Sequence, residues 1–446
     1  MNPETAFKAY DVRGRTDTGE LDAELYERAG SALVDLLEPD EIAVGYDCRA
    51  TSREFFDALA RGITAAGCGV IDLGEVPTDA VYYYSGAFGV PGAIITASHN
   101  PAEYNGLKLC REGAAPIGAE TGLDQIRDAV IAGAGTRSER TGSIRRVNPV
   151  AGYIDHLFAI VEADTIGPLK VAVDGGNGMA GIAVNRVFDR IDAEITGLFL
   201  EPDGTFPNHP ADPLVPENLN DLRALMAEGS YDIGVAFDGD ADRAFFLDDV
   251  GEPLSGSTVT SLIARRMLSE SPGDSIVHNL ITSKAVSEIV SESGGTPVRT
   301  RVGHSYIKAV MAETGAVFGG EHSGHYYFRE NFRADSGMLA MLVLLSVLSE
   351  DGRALSDLRK EVERYQSSGE INFSVVDKGK AMSDVELAFG DATIDRLDGL
   401  TVDLGREWFN LRPSNTEPLL RLNVEAPTAK RVEQLVDLVR ETLEEN

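Results

Sequence analysis

Apolar and polar positions along the chain repeat one grammar: a short apolar run, a polar or glycine-rich turn, then a stretch of helical periodicity. Glu41-Ile-Ala-Val-Gly-Tyr46 is one such run, leading through a turn to a helical stretch over residues 54–66. Lys170-Val-Ala-Val-Asp174 is a second, with Gly175-Gly-Asn-Gly178 as its turn and a helix reaching about residue 188. Ser275-Ile-Val-His-Asn279 is a third, followed by a helix through residue 290. Buried strands alternating with helices predict α/β units with largely parallel pairing, and three such openings predict three related α/β domains. Turn-rich stretches at residues 133–148 and 248–253 divide them. Beyond about residue 365 the pattern changes. Residues 370–376 and 400–404 read as strands and residues 430–444 as a terminal helix, forming a smaller α+β domain. The expected division is 1–148, 149–250, 251–367 and 368–446. The longest apolar run, MLAMLVLLSVL at residues 338–348, is too short to span a bilayer and reads as a core helix.

A length of 446 residues exceeds what one core sustains, in keeping with several domains. The charge changes the picture more. Forty basic residues, only nine of them Lys, stand against seventy-two acidic ones, for a formal net charge of −32. So acidic a surface argues against nucleic acid and anionic membrane as partners. The acidic residues are spread along the chain, which suits a solvated surface adapted to high salt. A site for an anionic substrate must then be a local basic island. Cys48, Cys68 and Cys110 form no CxxC pair, and the opening MNPETAFKAYDVRG has no apolar signal core, so a reducing cytoplasm is expected.

Four stretches carry chemistry. In Phe237-Asp-Gly-Asp-Ala-Asp-Arg243, three carboxylates at alternate positions lie in a tight loop between two apolar strands. Such oxygen ligands suit a hard cation, Mg²⁺ or Ca²⁺, and the spacing excludes an EF-hand. A solvated acidic turn is the competing reading. In Ala93-Ile-Ile-Thr-Ala-Ser-His-Asn-Pro101, continuing Tyr104-Asn-Gly-Leu-Lys108, an apolar strand delivers Ser98 onto a turn-rich loop. Ser98 fits a nucleophile, a phosphoserine or simply a capping hydroxyl. A hydrolase triad is disfavoured, because there is no Gly-x-Ser-x-Gly elbow and the adjacent His99 would point away on an extended loop.

Gly319-Gly-Glu-His-Ser-Gly-His325 places Glu321 and Ser323 where both can reach neighbouring sugar hydroxyls. Zinc binding by His322 and His325 competes, but lacks HExxH spacing and a third ligand. Gly303-His-Ser-Tyr-Ile-Lys308 adds His304 and a base nearby. Asn410-Leu-Arg-Pro-Ser-Asn-Thr-Glu417, ending in Arg421, combines an Arg fork, hydroxyls and an amide into a phosphate cradle, or is a polar turn. Finally, Gly176-Asn-Gly-Met-Ala-Gly181 matches the dinucleotide-binding pattern after a strand, so a nicotinamide-dependent dehydrogenase is a rival.

Taken together, the Ser98, Asp238, Glu321 and Arg412 motifs, in this order, with Phe7-Lys-Ala-Tyr-Asp-Val-Arg-Gly14 near the start, resemble the α-D-phosphohexomutase family over residues 7 to about 426. The resemblance implies three similar α/β domains with mixed, largely parallel sheets and a smaller C-terminal α+β domain around a central cleft. It implies interconversion of hexose 1-phosphate and hexose 6-phosphate through a phosphoserine at Ser98 and a hexose 1,6-bisphosphate. One Mg²⁺ would be held by Asp238, Asp240, Asp242 and the Ser98 phosphate. Arg13, His99, Lys108 and Arg243 would surround the transferring phosphoryl, with Lys108 and His325 as proton carriers. Tyr10, His304, Glu321 and Ser323 would bind the sugar, and Arg412, Ser414, Asn415, Thr416 and Arg421 the phosphate not being transferred. The motifs are closer to phosphomannomutases and dual phosphomannomutase/phosphoglucomutases than to phosphoglucosamine mutases, the alternative. They point to mannose, with glucose as a further substrate. A non-catalytic sugar-phosphate binder is the remaining reading, and no pattern selects monomer over homo-oligomer.

Overall fold

The structure, a computed structural model, describes residues 1–133, 135, 137–413 and 419–444. The expectations placed on Ser414, Asn415, Thr416 and the His304 side chain therefore lie outside the described residues.

Strands β1 (Val12–Arg15), β2 (Glu41–Tyr46), β3 (Gly69–Glu75), β4 (Gly92–Ile95), β5 (Tyr104–Cys110) and β6 (Ile144–Arg146) form the first sheet, in the order β1-β5-β4-β2-β3-β6. The pairs among β2, β3, β4 and β6 are parallel, and β5 runs antiparallel to both its neighbours. β6 lies inside the stretch expected to be a junction. Its three exposed residues pair with β3 at the sheet edge, where backbone bonding requires no apolar pattern.

The second sheet holds β7 (Leu169–Asp174), β8 (Ala193–Leu198), β9 (Ile233–Phe237) and β10 (Ala244–Leu247), in the order β10-β9-β7-β8. The third holds β11 (Ser275–Asn279), β12 (Thr296–Thr300), β13 (Phe318–Gly320) and β14 (Tyr326–Phe328), in the order β12-β11-β13-β14. In each, only the final hairpin is antiparallel. The fourth sheet is antiparallel throughout: β15 (Gln366–Ser374), β16 (Thr393–Asp395), β17 (Leu400–Asp403), β18 (Trp408–Pro413) and β19 (Leu419–Ala426), in the order β15-β19-β18-β17-β16. Three α/β domains with mixed, mostly parallel sheets and a fourth of different build are thus what the alternating pattern and the family likeness implied.

One device recurs. In each α/β domain one strand of the parallel set turns directly into an antiparallel neighbour, β4 to β5, β9 to β10 and β13 to β14. Loops at the carboxyl ends of parallel strands are where α/β sheets bind ligands. The Ser98, Asp238 and Glu321 motifs occupy these three turns, and the Arg412 motif joins β18 to β19.

A continuous apolar core runs through the first three domains, while the fourth has its own. The apolar run at residues 338–348 lies in the helix Gly337–Asp351, which buries eleven residues, nine of them in that core. One polar node pins the three domains together. Asp79, 1% exposed, accepts hydrogen bonds from the Tyr153 hydroxyl and, at 2.8 Å, from Ser336 Oγ. Tyr153 belongs to the helix Val150–Ile160, and Ser336 caps the core helix by accepting from the Leu339 N–H at 3.1 Å.

Burial pushes the Asp79 carboxyl up to about 7, even though both hydroxyl donors favour its charged form. An unfolded Asp titrates near about 3.9. Between the two values the folded protein holds a proton that the unfolded chain has lost, so stability falls as pH rises, by up to about 1.4 kcal/mol per unit. Asp79→Asn is expected to flatten that slope between about pH 4 and 7, checked by denaturant unfolding across this range; an unchanged slope would remove Asp79 as its source.

Candidate active site

Ser98 follows β4 with its backbone in the left-handed region, φ +53°. Its N–H donates to Thr96 Oγ1 at 2.9 Å, which holds the turn. This conformation is uncommon for a side-chain-bearing residue and concentrates where a loop is held by its surroundings. Arg49 does much of the holding. Its guanidinium, 3% exposed, donates to the carbonyls of Ser98 (2.8 Å), Asn100 (2.6 Å), Pro101 (2.6 Å) and Tyr104 (3.1 Å), and to Asp47 Oδ2 (3.1 Å). Arg13 braces the other side, donating to the Ala97 carbonyl at 2.6 Å and to Asn100 Oδ1 at 2.5 Å. The tight turn also brings His99 alongside Ser98, with Nδ1 3.4 Å from Ser98 Oγ, where an extended loop would have turned it away.

The Ser98 hydroxyl is held from two sides. It donates to Asp238 Oδ2 at 2.7 Å and accepts from Arg243 Nη2 at 3.2 Å. Arg243 grips Asp238 through its backbone N–H (3.2 Å) and Nε (2.9 Å). Lys108, on β5, donates to Asp240 Oδ2 at 2.7 Å and to Asp242 Oδ2 at 2.5 Å. Thr78 adds a hydroxyl donor to Asp240 at 2.6 Å. The three aspartates are at most 1% exposed and can each offer an oxygen within 4.8 Å of the others. Oδ1 of Asp240 and of Asp242 are buried with no hydrogen-bond partner among the described residues.

Two buried carboxylate oxygens without partners are costly unless a ligand takes them. Three carboxylates against two cations also leave one negative charge uncompensated. The acidities follow. Burial and the neighbouring Asp240 push Asp242 well above the usual carboxylate range. Burial would raise Asp240 too, but Lys108 outweighs it and holds that carboxyl far below the range. Burial would weaken the Lys108 ammonium, but Asp240 and Asp242 hold it protonated. His99 is pushed down to about 2 by burial, then by Arg243 and Arg13, so its ring is neutral. The donor set, all oxygen and one positive charge short, fits a hard divalent cation.

Glycine permits this closeness. A Cβ on Gly239 would lie 2.3 Å from the Ser98 carbonyl, and one on Gly178 would lie 2.6 Å from the Gly239 carbonyl. The Met179 N–H donates to that same Gly239 carbonyl at 2.9 Å. The Gly176-Asn-Gly-Met-Ala-Gly181 turn, which reads in sequence as a pyrophosphate cradle, packs against the back of the aspartate loop.

The third loop meets the second through a single backbone bridge between Arg243 and His325. His325 Nδ1 lies 2.9 Å from Ser323 Oγ, and its Nε2 is 3.9 Å from Asp242 Oδ1. Glu321 is buried and accepts from Tyr327 Oη (2.8 Å), Asn279 Nδ2 (3.1 Å) and the Gly303 N–H (3.2 Å). Burial raises its pKa despite these donors. His322 and His325 take different partners: His322 Nδ1 lies 3.1 Å from Asn279 Nδ2. Tyr10 reaches across from the first domain, donating to the Val302 carbonyl at 3.3 Å beside Gly303. Lys308, from the same stretch as His304, is buried with Nζ 2.7 Å from Asp335. Arg412 and Arg421 face each other on β18 and β19, and Glu370 of β15 lies between them.

Several of these residues carry no motif in the sequence. Arg49, Thr78, Asn279, Tyr327 and Glu370 act through partners 6 to 162 positions away. For Arg49 the available signal was a polar Cys48-Arg-Ala turn directly after a buried strand.

Four domain models describe the chain: phosphoglucomutase/phosphomannomutase α/β/α domain I matches residues 4–134, domain II residues 151–251, domain III residues 255–365, and the C-terminal domain residues 370–442. A phosphohexose mutase of Xanthomonas campestris pv. campestris (strain ATCC 33913) is 41% identical, the match covering 98% of this chain and 99% of that protein. A phosphomannomutase of Escherichia coli K12 is 38% identical over 96% of each. The crystal structure of a phosphoglucomutase/phosphomannomutase family protein from Burkholderia thailandensis superposes with a TM-score of 0.91 at 31% identity, covering 100% of this chain and 98% of that one. The chain belongs to the phosphoglucomutase/phosphomannomutase family. It is an enzyme of the isomerase class, a phosphohexomutase of phosphomannomutase/phosphoglucomutase type.

Removing the Arg49 fork strands Asp47 and releases four carbonyls of the Ser98 loop. Arg49→Ala is expected to cost about 3–5 kcal/mol of stability. Arg49→Lys keeps the charge without the fork and should lower kcat with little change in KM. Thermal unfolding and steady-state kinetics of both variants check this.

Proposed function

We propose that the chain interconverts hexose 1-phosphate and hexose 6-phosphate by way of a phosphoryl group carried on Ser98. The observation that carries this reading is the Ser98 hydroxyl lying 2.7 Å from Asp238 within a cluster of three buried aspartates, Arg243 and Lys108. A capping serine would need none of that charge. Phosphoryl transfer depends on neutralised oxygens and in-line positioning more than on covalent help.

Asp238, Asp240 and Asp242 would hold Mg²⁺, which when bound supplies charge neutralisation to the phosphoryl oxygens. Arg243 reaches Ser98 Oγ directly and would steady the phosphoryl there, while Arg13 and Arg49 fix the loop on which it rides. Lys108, held as an ammonium, can donate a proton and cannot accept one. His325, with Nδ1 engaged by Ser323 and Nε2 toward Asp242, is the better-placed carrier for the sugar hydroxyl proton. Ser323 and Tyr10 would position the sugar together with Glu321. Arg412 and Arg421 would anchor the phosphate not being transferred.

The phosphoryl leaves Ser98 Oγ for the free hydroxyl of the hexose phosphate, giving a hexose 1,6-bisphosphate. After the intermediate reverses, its other phosphoryl returns to Ser98. Relatives that carry the name phosphomannomutase support mannose as the sugar, and the phosphoglucomutase/phosphomannomutase name of the domain models supports glucose as a further substrate. Cytoplasmic residence fits the three free cysteines and the lack, among the described residues, of any helix long and apolar enough to cross a membrane.

Intact mass of the purified protein is expected to show a fraction bearing one phosphate that hexose phosphate removes. Ser98→Ala should lose that species and at least about 10³-fold in turnover. Mannose 1-phosphate, glucose 1-phosphate and glucosamine 1-phosphate assayed side by side rank the substrates. Full turnover by Ser98→Ala would overturn the proposal.

A further inference from the structure

The two arginines at the far end of the cleft are occupied by a carboxylate of the chain itself. Arg412 Nη2 donates to Glu370 Oε2 at 2.9 Å, and Arg421 Nη1 lies 3.5 Å from Glu370 Oε1. Both oxygens of one anion thus face guanidinium groups, as two phosphate oxygens would. The strand register favours an anion here. Arg412 and Arg421 are directly opposed on β18 and β19, and like charges so placed repel. Arg421 faces Asn372 on its other side, and Glu370 lies two residues before Asn372 on that same face of β15. A break in the β15–β19 register between Ser367 and Glu370, with Gly369 at φ +66°, sets the local direction of the strand.

We propose that Glu370 is a displaceable stand-in for substrate phosphate: it neutralises Arg412 and Arg421 while they are empty, swings away when phosphate arrives, and thereby sets how readily that phosphate is released. This deepens the function proposed above and rests on its reading of Arg412 and Arg421 as the phosphate anchor. Three further observations support it. Glu370 is partly exposed and lines a cavity of about 490 Å³ with His322, Trp408 and Asn423, so it has room to move. His322, facing the same cavity, is pushed down to about 4 by burial and then by the two arginines, so it remains neutral and does not take the carboxylate's part. Arg412 Nε is buried without a hydrogen-bond partner among the described residues, a donor left over for a ligand oxygen.

The consequence lies in the reversal step. A bisphosphate that must turn end over end has to leave these arginines midway through each cycle. A guanidinium pair without the Glu370 carboxylate would make that departure costlier. A carboxylate that returns to them lowers the cost, at the expense of weaker binding.

The test measures binding of glucose 1-phosphate by calorimetry to full-length protein carrying Ser98→Ala, which blocks transfer, alone and combined with Glu370→Gln, Glu370→Ala or Arg412→Ala. Both Glu370 variants are expected to bind about two- to fivefold more tightly, the range of a partly exposed ion pair. On the Ser98 background they should lower KM and kcat together. A folding defect would weaken binding, the opposite sign. Unchanged or weaker binding in both Glu370 variants, with Arg412→Ala still weakened, overturns the stand-in and leaves the anchor intact. Unchanged binding in Arg412→Ala overturns the anchor, and the stand-in with it.

Discussion

Everything in this structure that bears on chemistry depends on one electrostatic arrangement: three buried aspartates held beside a serine hydroxyl by two cations that do not quite neutralise them. Lys108 comes from β5 and Arg243 from the residue just before β10, so the balance exists only when the first two domains are packed together. The carboxylate oxygens left without partners are in the same place as the missing charge. A site built this way favours a protonated carboxyl, and Asp242 shows it in a pKa pushed well above the usual carboxylate range by burial and by Asp240. A divalent cation would relieve both the orphaned oxygens and the surplus charge.

That balance requires backbones in contact. Ser98, Gly239 and Gly178 stack so closely that a single Cβ at either glycine would meet a carbonyl oxygen. The β4–β5 and β9–β10 turns therefore act as one body, braced behind by the 176–181 turn and in front by Arg49. Asp79, Tyr153 and Ser336 do the same for the domains at large, with a shared buried hydrogen-bond node in place of glycine contacts. At the far end the design is looser. Arg412, Arg421 and Glu370 lie on a separate antiparallel sheet with its own core, and Glu370 lines a cavity that leaves it room to move.

The parts of this legible in sequence are those whose chemistry is local. Asp238, Asp240 and Asp242 sit at alternate positions of one tight turn, so residue type and spacing make them visible as candidates, whereas Ser98, on the loop after an apolar strand, reads equally as a capping hydroxyl without the family likeness. The three α/β openings were equally plain, because each strand and its helix are contiguous. What sequence concealed is long-range or conformational. The turn after β2 flags Arg49 but not the four carbonyls about fifty positions on that it holds, and nothing near Glu370 marks Arg412 as its partner. The left-handed turn at Ser98 reversed the expected direction of His99. The glycines of 176–181 matched a nucleotide pattern because close packing and pyrophosphate binding ask the same of a backbone. β6 escaped notice because an exposed edge strand carries no apolar signature.

The most direct measurement is the position of a bound divalent ion. Crystals grown with Mn²⁺ in place of Mg²⁺ locate it by anomalous scattering. The account predicts a single strong peak within coordination distance of Asp238, Asp240 and Asp242 and beside Ser98 Oγ. A peak elsewhere, or an ion held by the aspartates but remote from Ser98, would contradict it.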